Sequence, residues 1–275
     1  MLSYRHGFHA GNPADVFKHS IVLALLTAMQ EKPGGITCID THAGSAIHDL
    51  TGSFANKNRE YERGILPLWN ATSPPAALQP YLQQVHAINV HGELRHYPGS
   101  PHMLRQMLRP QDRLILCELH SSEQRELEQR YRRDRRVRLH LGDGYAALSE
   151  YLPPGGGRGL VLIDPSYELK SELDDLQQAL GSALQRFALG VYAIWYPLID
   201  GKATTPDDML SALQAQGLLQ PQQCQEQQCQ DLRIEFSSEQ RLGRMHGCGM
   251  LVINAPRRVQ PKLQVIRDCC QRPTA

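Results

Sequence analysis

The chain has 275 residues, 41% of them hydrophobic, with 29 basic side chains against 28 acidic ones. That length holds one α/β domain with an insertion, or two small domains, and either buries a large core. The balanced charge neither demands nor excludes a nucleic-acid partner, because the distribution of charge on the surface decides that. No apolar run approaches the roughly 20 residues of a membrane span. The run Ile21–Met29 follows Asp15, Lys18 and His19 without the layout of a secretory signal, so a cytoplasmic protein away from the membrane is expected.

The first helix is expected to open at "GNPADVFKHSIVLALLTAM": Asn12 is a good N-cap, Pro13 suits the first helical position, and Asp15 complements the positive helix end. "GITCIDT" (35–41) reads as the first strand. A long interval follows before the next strand, "RLILCEL" (113–119), where a single crossover helix needs far fewer residues. Within it "EYERGILPLW" and "ALQPYLQQVHAINVHG" look helical, so Ile47–His96 is expected to form a small helical insertion rather than a separate domain. Further strands are "VRLHLGD", "GLVLIDP", "GVYAIWYP", "LRIEF" and "GMLVINA". Further helices are "SPHMLRQMLR", "SSEQRELEQRYRR", "SELDDLQQALGSALQRF" and "TPDDMLSALQAQG".

In the third of these helices Leu173, Leu176, Leu180, Leu184 and Phe187 recur at helical spacing. In the fourth, Thr205 precedes Pro206 and Gly217 stops the helix. The alternation predicts an α/β fold: a mostly parallel seven-stranded sheet covered on both faces, its last two strands forming an antiparallel hairpin. The seven cysteines contain no C-x-x-C pair and read as reduced structural thiols.

In open α/β sheets, ligands bind beyond the carboxyl ends of the strands. After the first strand come Asp40, Thr41, His42, Ala43 and Gly44; after the second, Glu118; after the third, Asp143 and Gly144; after the fourth, "DPSY". Each piece has a bland alternative. An acid at a strand end often caps the next helix, Ser100 before Pro101 can be an ordinary N-cap, and His19 can be a half-buried core histidine. Taken together they describe a nucleoside-shaped site: a glycine turn for close backbone approach, a carboxylate (Glu118) for two ribose hydroxyls, and Asp143 for an exocyclic amine.

"DPSY" then supplies chemistry. An adenine amine is a poor nucleophile, because its lone pair is delocalised into the ring. Acceptors that hold its hydrogens, the Asp164 carboxylate and the Pro165 carbonyl, favour the reactive pyramidal form. Tyr167 can stack on a base swung out of its helix. The alternative is a plain tight turn, since Asp-Pro and Ser are common turn formers.

With these residues in place, the sequence resembles the class I S-adenosylmethionine-dependent methyltransferases that carry a [D/N]-P-P-[Y/F/W] motif. More closely, it resembles the RlmJ-type family, which methylates N6 of an adenine in bacterial 23S ribosomal RNA. "MLSYRHGFHAGNPADVFKH", "DTHAG", "YPGSP", "ELH", "DG", "LIDPSYE", "YAIWYP" and "GMLVINAP" stand in the family's order over nearly the whole chain.

The resemblance implies a Rossmann-like fold and S-adenosylmethionine as cofactor. It implies cofactor contacts at His19, His42, Gly44, Ser100, Glu118, Asp143, Gly144 and Asp164, and catalysis by Asp164, Pro165 and Tyr167. It further implies that Tyr4, His6, Lys18 and Tyr167 meet the substrate, and that 23S rRNA is the partner, with no obligate protein partner. Two departures stand out: Ser166 replaces the motif's second proline, and "NAP" at Asn254 stands where a second N-P-P is usual, at a place expected to be structural.

Two other classes stay open on residues alone. A metal-dependent hydrolase would draw on His6, His9, His19, Asp40, His42, Asp143 and Asp164, although "HGFH" is not the H-E-x-x-H motif. A non-catalytic RNA-binding protein could keep such a fold. The same chemistry could also serve a DNA adenine or a protein glutamine. The run "RYRRDRRVRLH" reads as a solvated helix end whose cations suit the helix dipole, and Arg5, His6 and Lys18 as better placed to meet phosphates.

Overall fold

The computed structural model describes residues 6–168, 171–201, 206–217 and 229–271. Helix α1 (Pro13–Gln30) begins where the caps place it, with Asn12 Oδ1 accepting from the Asp15 amide at 2.9 Å and Pro13 at the first position. Three of the strands that follow, β1 (Thr37–Asp40), β4 (Arg113–Cys117) and β6 (Gly159–Ile163), are nearly continuous apolar runs, as strands buried on both faces require. With β5 (Val137–His140) and β7 (Val191–Ile199) they pair in parallel. β9 (Met245–Ile253) runs antiparallel to both β7 and β8 (Cys229–Glu235), giving the order β5-β4-β1-β6-β7-β9-β8. The strand order reverses between β1 and β6, which opens a crevice at their carboxyl ends. This is the Rossmann-like class I methyltransferase sheet that the resemblance implied, closed by the expected antiparallel hairpin.

Alternation along the strands feeds two cores. Cys38, Leu114, Leu116, Leu160 and Leu162 point to one face with α1; Ile39, Ile115, Cys117, Val161 and Ile163 point to the other. The second face is covered by α7 (Gly144–Tyr151), α8 (Glu172–Arg186) and α9 (Pro206–Ala215). On α8, Leu176, Leu180 and Leu184 are buried as the spacing predicts, whereas Leu173 is 38% exposed in the first turn, before the helix reaches the sheet. Helices α5 (Ser100–Met107), α6 (Ser121–Tyr131) and α10 (Gln260–Gln271) complete the layers. α10 and α7 have no counterpart among the elements expected from sequence. Thr205 lies outside the described residues, as do Cys224 and the first five residues. No described helix is long and apolar enough to cross a membrane.

Between β1 and β4 the chain forms α2 (Ser53–Asn58), α3 (Ile65–Asn70) and α4 (Gln79–Ala87), but also a two-stranded ribbon, β2 (Ile47–Asp49) with β3 (His96–Pro98), that helical spacing does not announce. This segment grips the entry to α1. Glu60 accepts from His9 Nδ1 at 2.9 Å and Asn12 Nδ2 at 3.0 Å, and the Ile65 amide donates to the Gly11 carbonyl at 2.9 Å. Asn254 is structural, as expected. It takes a left-handed φ of 58° and donates to the Ala188 and Gly190 carbonyls, at the amino end of β7.

Candidate active site

The carboxyl ends of β1, β4, β5 and β6 surround one cleft of about 240 Å³. Glu118, Asp143 and Asp164 all line it, as do His6, Lys18, His19, His42, Gly44, Ser100 and Gly144. Acids far apart in sequence therefore share one rim.

On the β1/β4 side, Glu118 Oε2 accepts from the Gly44 amide at 2.7 Å and Oε1 from the His120 amide at 2.6 Å. Burial still raises its carboxyl pKa against these bonds. Gly44 has φ of 63°, and a Cβ there would meet no atom within 4 Å, so its backbone faces open space. Gly144 is required for the opposite reason: a Cβ would lie 1.9 Å from the Thr41 carbonyl oxygen. Asp143 caps α7 by accepting from the Tyr145 amide at 2.8 Å, so the capping alternative weighed for strand-end acids holds here while the residue still lines the cleft. Ser100 is not a cap, since Gly99 occupies that position. Its hydroxyl faces Asp40, a fully buried carboxyl whose pKa burial pushes up to about 7, against that hydroxyl's pull.

On the β6 side a polar chain runs inward from the cleft. Lys18 Nζ lies 2.5 Å from Asp164 Oδ2 and 2.9 Å from Asp15 Oδ1; Asp15 Oδ2 accepts from His6 Nε2 at 2.9 Å and from the Gly11 amide at 2.9 Å. Burial alone would neutralise Lys18, but Asp15 and Asp164 outweigh it and hold the ammonium charged. Lys18 is only 4% exposed, so it is engaged by two carboxylates inside the cleft wall rather than presented to phosphates. Asp15, read from sequence only as a helix-end acid, is the pivot of this chain. Its neighbour His19 shares a hydrogen bond with the Tyr97 hydroxyl at 2.8 Å and stacks on that ring.

The "DPSY" turn sends Asp164 and Ser166 to the cleft. Pro165 is buried. Tyr167 adopts φ of 54°, a strained choice for an aromatic residue. Its ring turns back on Trp195, with its hydroxyl donating to the Trp195 carbonyl at 2.7 Å. In this state the ring braces the turn and is not spread over the cleft, where the sequence reading placed it. Tyr4 and Arg5 lie outside the described residues. Of the residues of the metal-hydrolase alternative, five line the cleft, but three of its histidines have other partners: His6 meets Asp15, His9 meets Glu60 and His19 meets Tyr97. Among the described residues no three His, Cys, Asp or Glu side chains form a group that could hold a metal ion.

Burial depresses His19 and His48 to about 3 and His42 to about 4, so all three are neutral at pH 7. Their folded pKa values lie below the unfolded value of about 6.5, so the unfolded state binds more protons and stability falls as pH drops from about 6.5 towards 3. The thermal midpoint is expected to fall steadily over pH 6.5–4 in a differential scanning titration, and less steeply in His48→Gln. Equal slopes for the two proteins would contradict this assignment.

Comparison with known proteins shows the family of the chain. The family model described as "Ribosomal RNA large subunit methyltransferase D, RlmJ" matches residues 34–273. The ribosomal RNA large subunit methyltransferase J of Escherichia coli K12 is 38% identical over 263 residues, covering 96% of this chain and 90% of its own. Its namesake from Haemophilus influenzae is 37% identical over 267 residues, covering 97% and 92%. The crystal structure of protein LPL1258 from Legionella pneumophila superposes with a TM-score of 0.79 at 30% identity, covering 96% of this chain and 94% of that one. From its cleft to its last strand, this chain belongs to the RlmJ family of ribosomal RNA large subunit methyltransferases.

Proposed function

We propose that this protein transfers a methyl group from S-adenosylmethionine to the N6 amine of an unstacked adenine in 23S ribosomal RNA, in the cytoplasm. The observation that carries the reading is the shared cleft: Glu118 and Asp164, directly after β4 and β6, face the same space.

The residues fit the cofactor. The open backbone at Gly44 leaves room for a ligand, and Glu118 keeps lone pairs for ribose hydroxyls while two amides hold it in place. Glu118, Glu123, Asp143, Asp164, Glu172 and Asp175 line the cleft against a single lysine, an environment that favours a cationic sulfonium. The cofactor supplies an electrophilic methyl group. The protein's part is to orient the amine: the Asp164 carboxylate and the Pro165 carbonyl accept its hydrogens and draw its lone pair out of ring conjugation. Lys18, fixed between Asp15 and Asp164, holds the Asp164 carboxylate in place. His42 lies edge-on to Tyr145 and His19 against Tyr97, which makes firm walls beside the donor.

The activity is tested by incubating the protein with transcribed 23S rRNA and labelled S-adenosylmethionine, then mapping methyladenine by mass; label on no adenine would refute the reading. Glu118→Ala removes two charge-assisted ribose bonds, each worth about 1.5–3 kcal/mol. The calorimetric affinity for S-adenosylmethionine is therefore expected to weaken by at least about tenfold. An unchanged affinity would remove the ribose assignment.

A further inference from the structure

The cleft that suits a sulfonium does not suit RNA. Its lining acids repel phosphates, and its lysine is already held by two carboxylates. The attraction for the rRNA backbone must come from another surface, and the arginine run after α6 provides one.

We propose that the arginine-rich concavity at the amino ends of β4 and β5 binds the phosphate backbone of the rRNA flanking the target adenine; this rests on the rRNA reading above. The concavity measures about 440 Å³ and is lined by Arg113, Arg135, Arg136, Arg138, Tyr151 and Pro153. Arg138 lies over the Tyr151 ring at 5.6 Å, which holds its guanidinium in place. Two of the cations have internal work: Arg136 pairs with Asp134 at 3.0 Å, and Arg113 donates to the Pro110 and Asp112 carbonyls. Arg132, Arg133, Arg135 and Arg138 are exposed and have no carboxylate partner among the described residues.

The nearby acids are mostly taken. Asp134 also meets Arg105, Glu126 meets Arg130, and Glu150, in the concavity itself, lies 3.6 Å from His140. The dipole of α6 accounts for cations in its last turn only, and α6 ends at Tyr131. Arg135 and Arg138 lie beyond it, the latter on β5. β5 is also the sheet's edge strand and only four residues long, about 13 Å at the usual rise. The target amine is assigned to Asp164 beyond β6, three strands from β5, so the arginines lie about 14 Å across the sheet at the usual strand spacing and about 13 Å along it, a span that the RNA helix flanking the target covers.

The test compares wild type with the quadruple variant Arg132→Gln/Arg133→Gln/Arg135→Gln/Arg138→Gln, and with its all-lysine counterpart. Filter binding to transcribed 23S rRNA is measured between 50 and 300 mM KCl. The glutamine variant is expected to bind at least about tenfold more weakly at the low-salt end. Its slope of log affinity against log salt should flatten by about 2 to 4, because each lost phosphate contact removes about 0.7–0.9. KM for RNA should rise, with kcat at saturating RNA, cofactor affinity and thermal midpoint unchanged, and the lysine variant should keep the wild-type slope. A glutamine variant with wild-type affinity and slope would overturn the proposal. A wild type that shows the arginine-dependent slope yet methylates no adenine would refute the function proposed above and leave this surface standing.

Discussion

Asp164→Ala is expected to lose methyl transfer by about 10³-fold or more while still binding S-adenosylmethionine. The magnitude follows from removing a fixed charged acceptor from the reacting amine, an electrostatic contribution typically worth 10²–10³ in rate, together with the loss of its orientation. The fold should survive, because Lys18 keeps Asp15 at 2.9 Å and that pair remains neutral overall. Initial rates on transcribed 23S rRNA, set beside calorimetry with the cofactor, separate the two effects. Full activity would remove Asp164 from the reaction. Loss of cofactor affinity equal to the loss of rate would make it a binding residue instead.

The second large effect is expected from a single methyl group. Gly144→Ala puts a Cβ 1.9 Å from the Thr41 carbonyl oxygen, a backbone atom that cannot swing aside. Either α7 retreats, carrying Asp143 with it, or the β1 turn bearing His42 and Gly44 is pushed outward. Overpacking of this kind costs about 1–3 kcal/mol and at times more, so the thermal midpoint should fall by several degrees and cofactor affinity should drop with it. Gly155→Ala is the control, since no atom lies within 4 Å of its Cβ and its φ is not positive. A Gly144→Ala protein as stable and as tightly cofactor-bound as that control would mean the contact is relieved at no cost.

The sheet was legible because its signals are local. Apolar runs ending in Asp40, Glu118, Asp143 and Asp164 announce both the strands and the rim, and Asn12–Pro13 announces α1. What escaped is what has no local trace. The Lys18–Asp164 contact spans 146 positions, and nothing near Lys18 distinguishes a cleft lysine from one facing phosphates. Ser100 differs from a helix cap by one position, which turns its hydroxyl to Asp40. Tyr167 looks like a stacking ring until its left-handed backbone directs it to Trp195. The β2–β3 ribbon is three residues a side, too short for alternation to register.

The position of β9 bears on how the protein comes into being. Hydrogen-bonded to β7 on one side and β8 on the other, it is the last of the described strands in chain order yet not the last in the sheet. During synthesis β8 therefore emerges before β9, the neighbour it pairs with among the described residues, and β7 waits with a bare edge open to wrong pairings. Because β7 borders the strand that leads into Asp164, catalytic competence is expected only once β9 has been translated and paired. A nascent chain halted before Met245 should be protease-sensitive around β7 and β8 and resistant once β9 has slotted in.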